Sequence, residues 1–351
     1  MTTVITGIGA VRPDPSTQPE VTSGHPVHRV AGFDPEALFG RRATRFSHRS
    51  TLLTMAACGA ALANAGLDIS ASNQETVGIA VGTALGSISG TVEFGSRSFN
   101  QSRPYLVDAA SFPNTAMNTA AGAAAIQVGA RAANFTVVAG PLAGVSALRQ
   151  AEMALRVGHA QRIVAGASDE ATTAAVWWAQ AVRDTGAVGE GSAMFVLERL
   201  ADVQAAGRLP IARLAATTVR AVDPADPGEL AEAVTATLRR GRVEPSDVGL
   251  VALRETGVPD VDRSQLIAVR QAVDAPLLWG ENEMGDCYSA HSALQLADVI
   301  KHLTSAMVPD SPAGRAGLVM TTDPHGAVGL ALVDLDWPRA EPAQTEKELG
   351  T

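Results

Sequence analysis

The chain has 351 residues, 46% hydrophobic and 18% charged, the proportions of a folded globular protein with a sizeable core. A net charge of −9 offers no broad basic face, so neither nucleic acid nor an anionic membrane is expected as a partner. Two cysteines, Cys58 and Cys287, are too few for a disulfide framework or a four-thiolate zinc site. The histidines show no metal-ligand spacing, so no metal and no cofactor are expected, and the natural compartment is a reducing cytoplasm.

The opening MTTVITGIGAV has no basic flank and no long apolar run, which is unlike a signal peptide; Val4–Ile8 reads as a first strand. Pro13–Arg29 is polar and proline-bearing and reads as a surface loop. Arg41, Arg42, Arg45 and Arg49 cluster in sequence and read as a solvated helix face. Ser50–Ala65 is a helix closed by Gly66, and Val77–Gly82 is a strand. The Gly82–Gly90 loop that follows lacks the lysine and spacing of a phosphate-binding loop. Thr115–Gly129 is an alanine-rich buried helix, Phe135–Val138 a short strand, Leu142–Val157 a helix with an apolar stripe, and Arg162–Ala167 and Gly191–Leu200 strands. The second part repeats the order. Helix Pro227–Arg240, strands Val248–Leu253 and Leu277–Gly280 and helix Ala290–Ala306 precede strands Ala316–Thr322 and Ala327–Leu335, paired by a turn at Asp323–Gly326. Two similar α/β halves, 1–203 and 204–338, with a flexible tail at 339–351, are the simplest organisation.

The segment FTVVAGPLAGVSALRQAEMALRVGHAQRIVAGASDE, Phe135–Glu170, resembles the nucleophile region of β-ketoacyl synthases, where a strand leads to a Thr-Ala-Cys-x-Ser-Gly elbow and then a helix. Gly189–Ala193 with Val196, Leu197 and Glu198 is similar to that family's Gly-Glu-Gly-Ala strand. Thr256-Gly257 stands where His-Gly-Thr-Gly-Thr belongs, ENEMGD at 281–286 where Lys-Ser-x-x-Gly-His belongs, and TTDPHGAV where Gly-Phe-Gly-Gly-x-Asn-Ala belongs. The resemblance implies a thiolase fold of two αβαβα halves.

It also implies a site that has lost its chemistry. The family's nucleophilic cysteine falls on Pro141, which has no thiol and no N–H for an oxyanion hole, and which suits a helix start. The two catalytic histidines fall on Arg254, a permanent cation, and Asp286; the lysine falls on Glu281; the second oxyanion donor falls on Pro324. No catalytic residue is expected. The pattern resembles the chain length factor of type II polyketide synthases, and GASDEATTAAVWWAQ, 166–180, is similar to its tryptophan-bearing segment. Pro141 departs from the glutamine usual there, and the stretch after Gln180 is short, which suggests a divergent branch, that of highly reducing systems. The resemblance then implies pairing with an active ketosynthase, as a heterodimer or a pair of heterodimers, and work on chains held by an acyl carrier protein. Tunnel candidates are Phe112, Thr115, Ala116, Thr119, Trp177 and Trp178. The interface candidate is the strand Asn134, Phe135, Thr136, Val137 and Val138. A competing reading is a homodimeric enzyme or acyl-binding protein with rewired chemistry at Cys287 and His291, four residues apart at a helix start.

Overall fold

The computed structural model describes residues 1–183, 186–279, 284–306 and 314–337. The strands are β1 (Thr3–Val11), β2 (Glu20–Thr22), β3 (His25–His28), β4 (Val77–Thr83), β5 (Asn134–Val138), β6 (Arg162–Asp169), β7 (Val188–Gly189), β8 (Gly191–Arg199), β9 (Ala212–Ala221), β10 (Val248–Leu253), β11 (Leu277–Trp279), β12 (Ala316–Asp323) and β13 (Ala327–Asp334). The helices are α1 (Pro35–Phe39), α2 (Arg41–Thr44), α3 (Arg49–Asn64), α4 (Ile88–Asn100), α5 (Thr119–Val128), α6 (Ala143–Val157), α7 (Thr173–Arg183), α8 (Leu200–Ala205), α9 (Pro227–Gly241), α10 (Pro259–Ala272) and α11 (His291–Ala306).

Ten strands hydrogen-bond in the order β11-β10-β12-β13-β9-β1-β8-β6-β4-β5. The order is one pattern used twice. In each half the first strand lies beside the last, and the second, flanked by the third and fourth, pairs with both in parallel. The halves meet where β1 pairs antiparallel with β9 through Val4–Arg213 and Ile5–Ala212. Helices α6 and α11 each pack against strands of both halves, so they form the middle layer; α3 and α5 cover one outer face, α9 the other, with α10 packed on it. The result is an αβαβα stack whose three largest apolar clusters lie one in the middle and two outside.

Local sequence explains the elements. Seven of the eight residues of β6 are buried, as a central strand covered on both faces requires. Gly166 in β6 is obligatory, because a Cβ there would lie 1.9 Å from the Ala193 carbonyl oxygen of β8. Helix α6 buries Val145, Leu148, Ala151 and Leu155 and ends at Gly158 in the left-handed region, φ 80°. Helix α9 starts with Asp226 accepting from the Gly228 N–H at 2.7 Å, with Pro227 in the first turn.

Two regions differ from the sequence reading. The polar stretch 13–29 is not all loop: β2 and β3 pair antiparallel, and β3 pairs in parallel with β7 to make a separate three-stranded sheet. Arg49 is not part of a solvated face: its Nε and Nη2 meet the buried Glu190 carboxylate at 2.7 and 2.5 Å. Arg41 and Arg42 are exposed as expected.

Candidate functional site

Four of the five positions where the resemblance places catalytic machinery are described, and they converge at one end of the central layer; Glu281 lies outside the described residues. Pro141 sits in a 3-10 turn, 140–142, that opens α6, and its carbonyl accepts from Thr321 Oγ1 at 3.4 Å. Gly140 precedes it with φ 53°, and a Cβ there would lie 3.3 Å from the Tyr288 hydroxyl, so only glycine suits both backbone and space. Pro324 is half-buried in the turn joining β12 and β13, which closes through the Gly326 N–H on the Asp323 carbonyl at 3.1 Å.

Arg254 and Asp286, the two histidine positions, find each other. Arg254 Nε donates to Asp286 Oδ1 at 3.1 Å and Nη2 to Oδ2 at 2.7 Å, with both side chains 1% exposed. This is the bidentate fork that guanidinium and carboxylate form best. Arg254 Nη1 also donates to the Thr322 carbonyl at 3.4 Å, and the guanidinium lies 5.4 Å from the Tyr288 ring centre. The Tyr288 N–H donates to Asp286 Oδ1 at 2.8 Å, and His291 Nδ1 lies 3.9 Å from the same oxygen. The small sheet fixes this corner: the Gly189 N–H donates to the Asp286 carbonyl at 3.0 Å, and the Asp286 N–H to the Ala187 carbonyl at 2.9 Å. The centre is thus a paired, hydrogen-bonded ion pair with a proline where a nucleophile would stand.

Two further buried acids hold the ends of β6 and β8, Asp169 beside the site and Glu198 at the opposite end. Asp169 at the end of β6 accepts from Thr83 Oγ1 at 2.8 Å, from the Ser289 N–H at 3.1 Å and from the Ser289 hydroxyl. Burial is the largest influence on its carboxyl and pushes its pKa above the ordinary value, against those donors. Glu198 accepts from Thr6 Oγ1 at 2.6 Å, Arg162 Nε at 2.9 Å and Arg208 Nη2 at 2.6 Å. Burial raises its pKa most, yet these donors together outweigh it and hold the carboxyl below its usual value.

The remaining sequence candidates separate into two places. Trp178 belongs with the centre, its ring 4.8 Å from that of Tyr288. Trp177 points outward and donates from Nε1 to Ser23 Oγ at 3.1 Å. Phe112, 63% exposed, lies on the 3-10 turn 109–115 with its ring 5.8 Å from Phe94 of α4. Thr119 caps the same region, its hydroxyl donating to the Ala116 carbonyl at 2.9 Å, and Thr115 donates to the Phe112 carbonyl at 2.8 Å; Ala116 is exposed between them. β5 ends the sheet and pairs with β4 alone among the described strands; Asn134 and Val138 are exposed, and Phe135, Thr136 and Val137 half-buried. Cys287 and His291 are both fully buried, and the Cys287 Sγ donates to the Glu190 carbonyl at 3.4 Å.

Tyr288 was not singled out from sequence, although it touches Gly140, Arg254 and Trp178. Its one signal is a left-handed backbone, φ 48°, which an isolated tyrosine in DCYSAH does not announce. The mutual pairing of Arg254 and Asp286 had a readable signal: opposite charges at two positions of one site.

Residues 6–184 match the β-ketoacyl synthase, N-terminal domain. The chain is 27% identical over 324 residues to the tetracenomycin polyketide synthase ketoacyl synthase alpha subunit of Streptomyces glaucescens, covering 80% of this chain and 76% of that protein. The solved ishigamide ketosynthase/chain length factor superposes with a TM-score of 0.79 at 26% identity, covering 95% of this chain and 99% of that one. A type II polyketide synthase acyl-carrier protein in complex with its ketosynthase bound to the hexaketide gives a TM-score of 0.75 at 18% identity, over 95% and 98%. A duplicated αβαβα stack with its site at the N-terminus of a central helix defines a thiolase-fold protein. Within that class the chain belongs to the β-ketoacyl synthase family, and it is similar to the ketosynthase and chain-length-factor proteins of type II polyketide synthases.

Proposed function

We propose that the chain is the catalytically silent, ketosynthase-like subunit of a type II polyketide synthase, a chain length factor. It would pair with an active ketosynthase and shape the tunnel that limits acyl chain length. The observation that carries this is the Arg254–Asp286 ion pair at 1% exposure beside Pro141. A guanidinium that never deprotonates and a carboxylate that holds it leave no general base at those two positions, and a proline there offers neither thiol nor amide. The two units of the duplication are 1–203 and 204–338.

This reading puts the partner against β5, and the exposed strand edge supports it. A free strand edge invites another strand, and the elements beside it carry exposed apolar side chains such as Phe112, Ile126 and Val138. In this reading Phe112, Thr115, Ala116 and Thr119 face the shared tunnel, Trp178 backs it, and an acyl carrier protein delivers the growing chain. Phe112→Ala in the reconstituted complex should lengthen the product by at least one two-carbon unit, read by mass spectrometry; unchanged length removes Phe112 from the wall.

The deciding experiment is co-expression with the nearest encoded ketosynthase, purification by a tag on one subunit and native mass spectrometry. A one-to-one complex that condenses malonyl units only when both chains are present supports the proposal. Recovery of this chain as a homodimer sinks it. The competing reading, Cys287–His291 chemistry, is disfavoured by the full burial of both side chains and by the thiol's contact with the Glu190 carbonyl.

A further inference from the structure

Helix α6 begins at the Arg254–Asp286 centre, and its other end borders a different kind of place. Where the last turns of α6 and α9 meet the start of β9 there is a polar pocket of about 330 Å³, the size for a small ligand. Arg156 of α6 lines it, 15 residues past Pro141, about 20 Å along the helix axis.

Four arginines border this pocket in a chain whose net charge is −9. Arg213 is committed to the fold, donating to the Gly241 carbonyl at 3.0 Å and pairing with Asp334 at 2.5 Å. Arg156, Arg240 and Arg242 are not: none has a side-chain hydrogen bond or ion pair among the described residues. Arg156 and Arg240 end their helices, where a cation suits the dipole, but that role does not require both to border one pocket. Three guanidiniums from two helices are the donor set of a dianion, above all of a phosphate.

One acid stands among them. Glu152 Oε2 accepts from Thr217 Oγ1 at 2.6 Å. Its Oε1 has no donor among the described residues, and it is not among the sealed polar atoms, so it faces the pocket that Glu152 lines. Burial pushes the carboxyl's pKa up, while the Thr217 hydroxyl and the charges of Arg240, Arg156 and Arg149 pull it back. A carboxylate beside an anion site accepts from the ligand's own donor. The surplus of arginines disfavours an ammonium there and leaves a neutral hydroxyl.

From this arrangement we infer that the pocket binds a small hydroxylated phosphate monoester, of the sugar phosphate class. The phosphate meets Arg156, Arg240 and Arg242, and a hydroxyl donates to Glu152 Oε1. The inference is independent of the polyketide reading, because the pocket includes no residue of the Arg254–Asp286 centre or of β5.

The test is isothermal titration of the purified full chain with ribose 5-phosphate, ribose and inorganic phosphate. Any tag belongs at the C-terminal end, because the start of β1 also borders the pocket. Ribose 5-phosphate should bind about tenfold more tightly than inorganic phosphate, the value of one hydrogen bond to a charged acceptor, and ribose should not bind measurably. Arg156→Gln with Arg240→Gln, both at exposed positions, should weaken ribose 5-phosphate more than tenfold. Glu152→Gln should act with opposite signs: inorganic phosphate binds more tightly once the like charge is gone, while the advantage of the sugar phosphate shrinks. A merely misfolded variant would not show that pattern. No binding of ribose 5-phosphate, equal affinity for inorganic phosphate, binding that survives the double arginine change, or a Glu152→Gln chain weakened alike for both phosphates would each overturn the inference.

Discussion

Two regions of this molecule invert the usual placement of residues. The bulkiest of the fully buried described side chains is a charged one, Arg254, while Phe99 and Ile126 stand 88% and 85% exposed. At the centre, the guanidinium is tolerated in the interior because it donates to a carboxylate and a carbonyl, and that carboxylate in turn accepts from the Tyr288 N–H. At the β5 face, apolar side chains are left in water although the fold has ample core to receive them. The contrast separates two kinds of incompleteness. The centre is closed within the chain, whereas the face is open, and it is there that the proposed partner would complete it.

That contrast can be broken from either side. The largest effect is expected at the centre. Asp286→Ala removes the guanidinium's bidentate carboxylate and should cost about 3–5 kcal/mol in denaturant unfolding, whereas Arg254→Met with Asp286→Leu should restore most of the loss. A single-variant cost below 1 kcal/mol would mean that the pair is not sealed. Glu198→Gln comes next, at about 3 kcal/mol near neutral pH, because Arg162 and Arg208 lose their shared carboxylate. The sign with pH is set by the lowered pKa: the carboxylate's contribution is present above the unfolded value and is lost as pH falls through the folded one. The gap between variant and wild type should therefore narrow in acid, and a gap that widens would contradict the assignment.

The open face gives smaller effects on the chain itself. Ile126→Glu should shift the chain's own unfolding by no more than about 0.5 kcal/mol, yet reduce co-purification of a ketosynthase partner severalfold. Undiminished pairing would place the interface elsewhere. The smallest expected signal is none at all. Burial pushes the Cys58 thiol up to about 12, and Cys287 is sealed in the core, so iodoacetamide should label neither cysteine in the folded chain and both after denaturation. Labelling of folded Cys287 would reopen the rewired-enzyme reading.

Sequence patterning was informative where apolar periodicity and burial coincide. β6, β10 and α6 were readable because their buried residues are almost all aliphatic or small. Helix α10 was not, because its buried face includes Ser264 and Gln265, which hydrogen-bond inward and break the apolar stripe. Helix α4 buries only Gly90, so the periodicity of its apolar residues does not mark a face turned to the core. The β2–β3 hairpin buries only Val27 and His28 and is held largely by backbone pairing, which leaves little trace in side-chain pattern. At the candidate site the residue types at Pro141, Arg254, Asp286 and Pro324 were legible one by one. That two of them neutralise each other, through a corner braced by Tyr288, depends on distances that spacing in the chain does not encode.

The Arg254–Asp286 pair also bears on how such a chain changes over generations. Exchanging either residue alone breaks the buried bidentate pair, at a cost of about 3–5 kcal/mol, against a total stability of about 5–15 kcal/mol for a typical protein. Single-step routes away from the pair thus run through folds that barely hold. The two positions are effectively one heritable unit, and drift at this corner is a ratchet: a chain that has acquired both charges keeps both or replaces both.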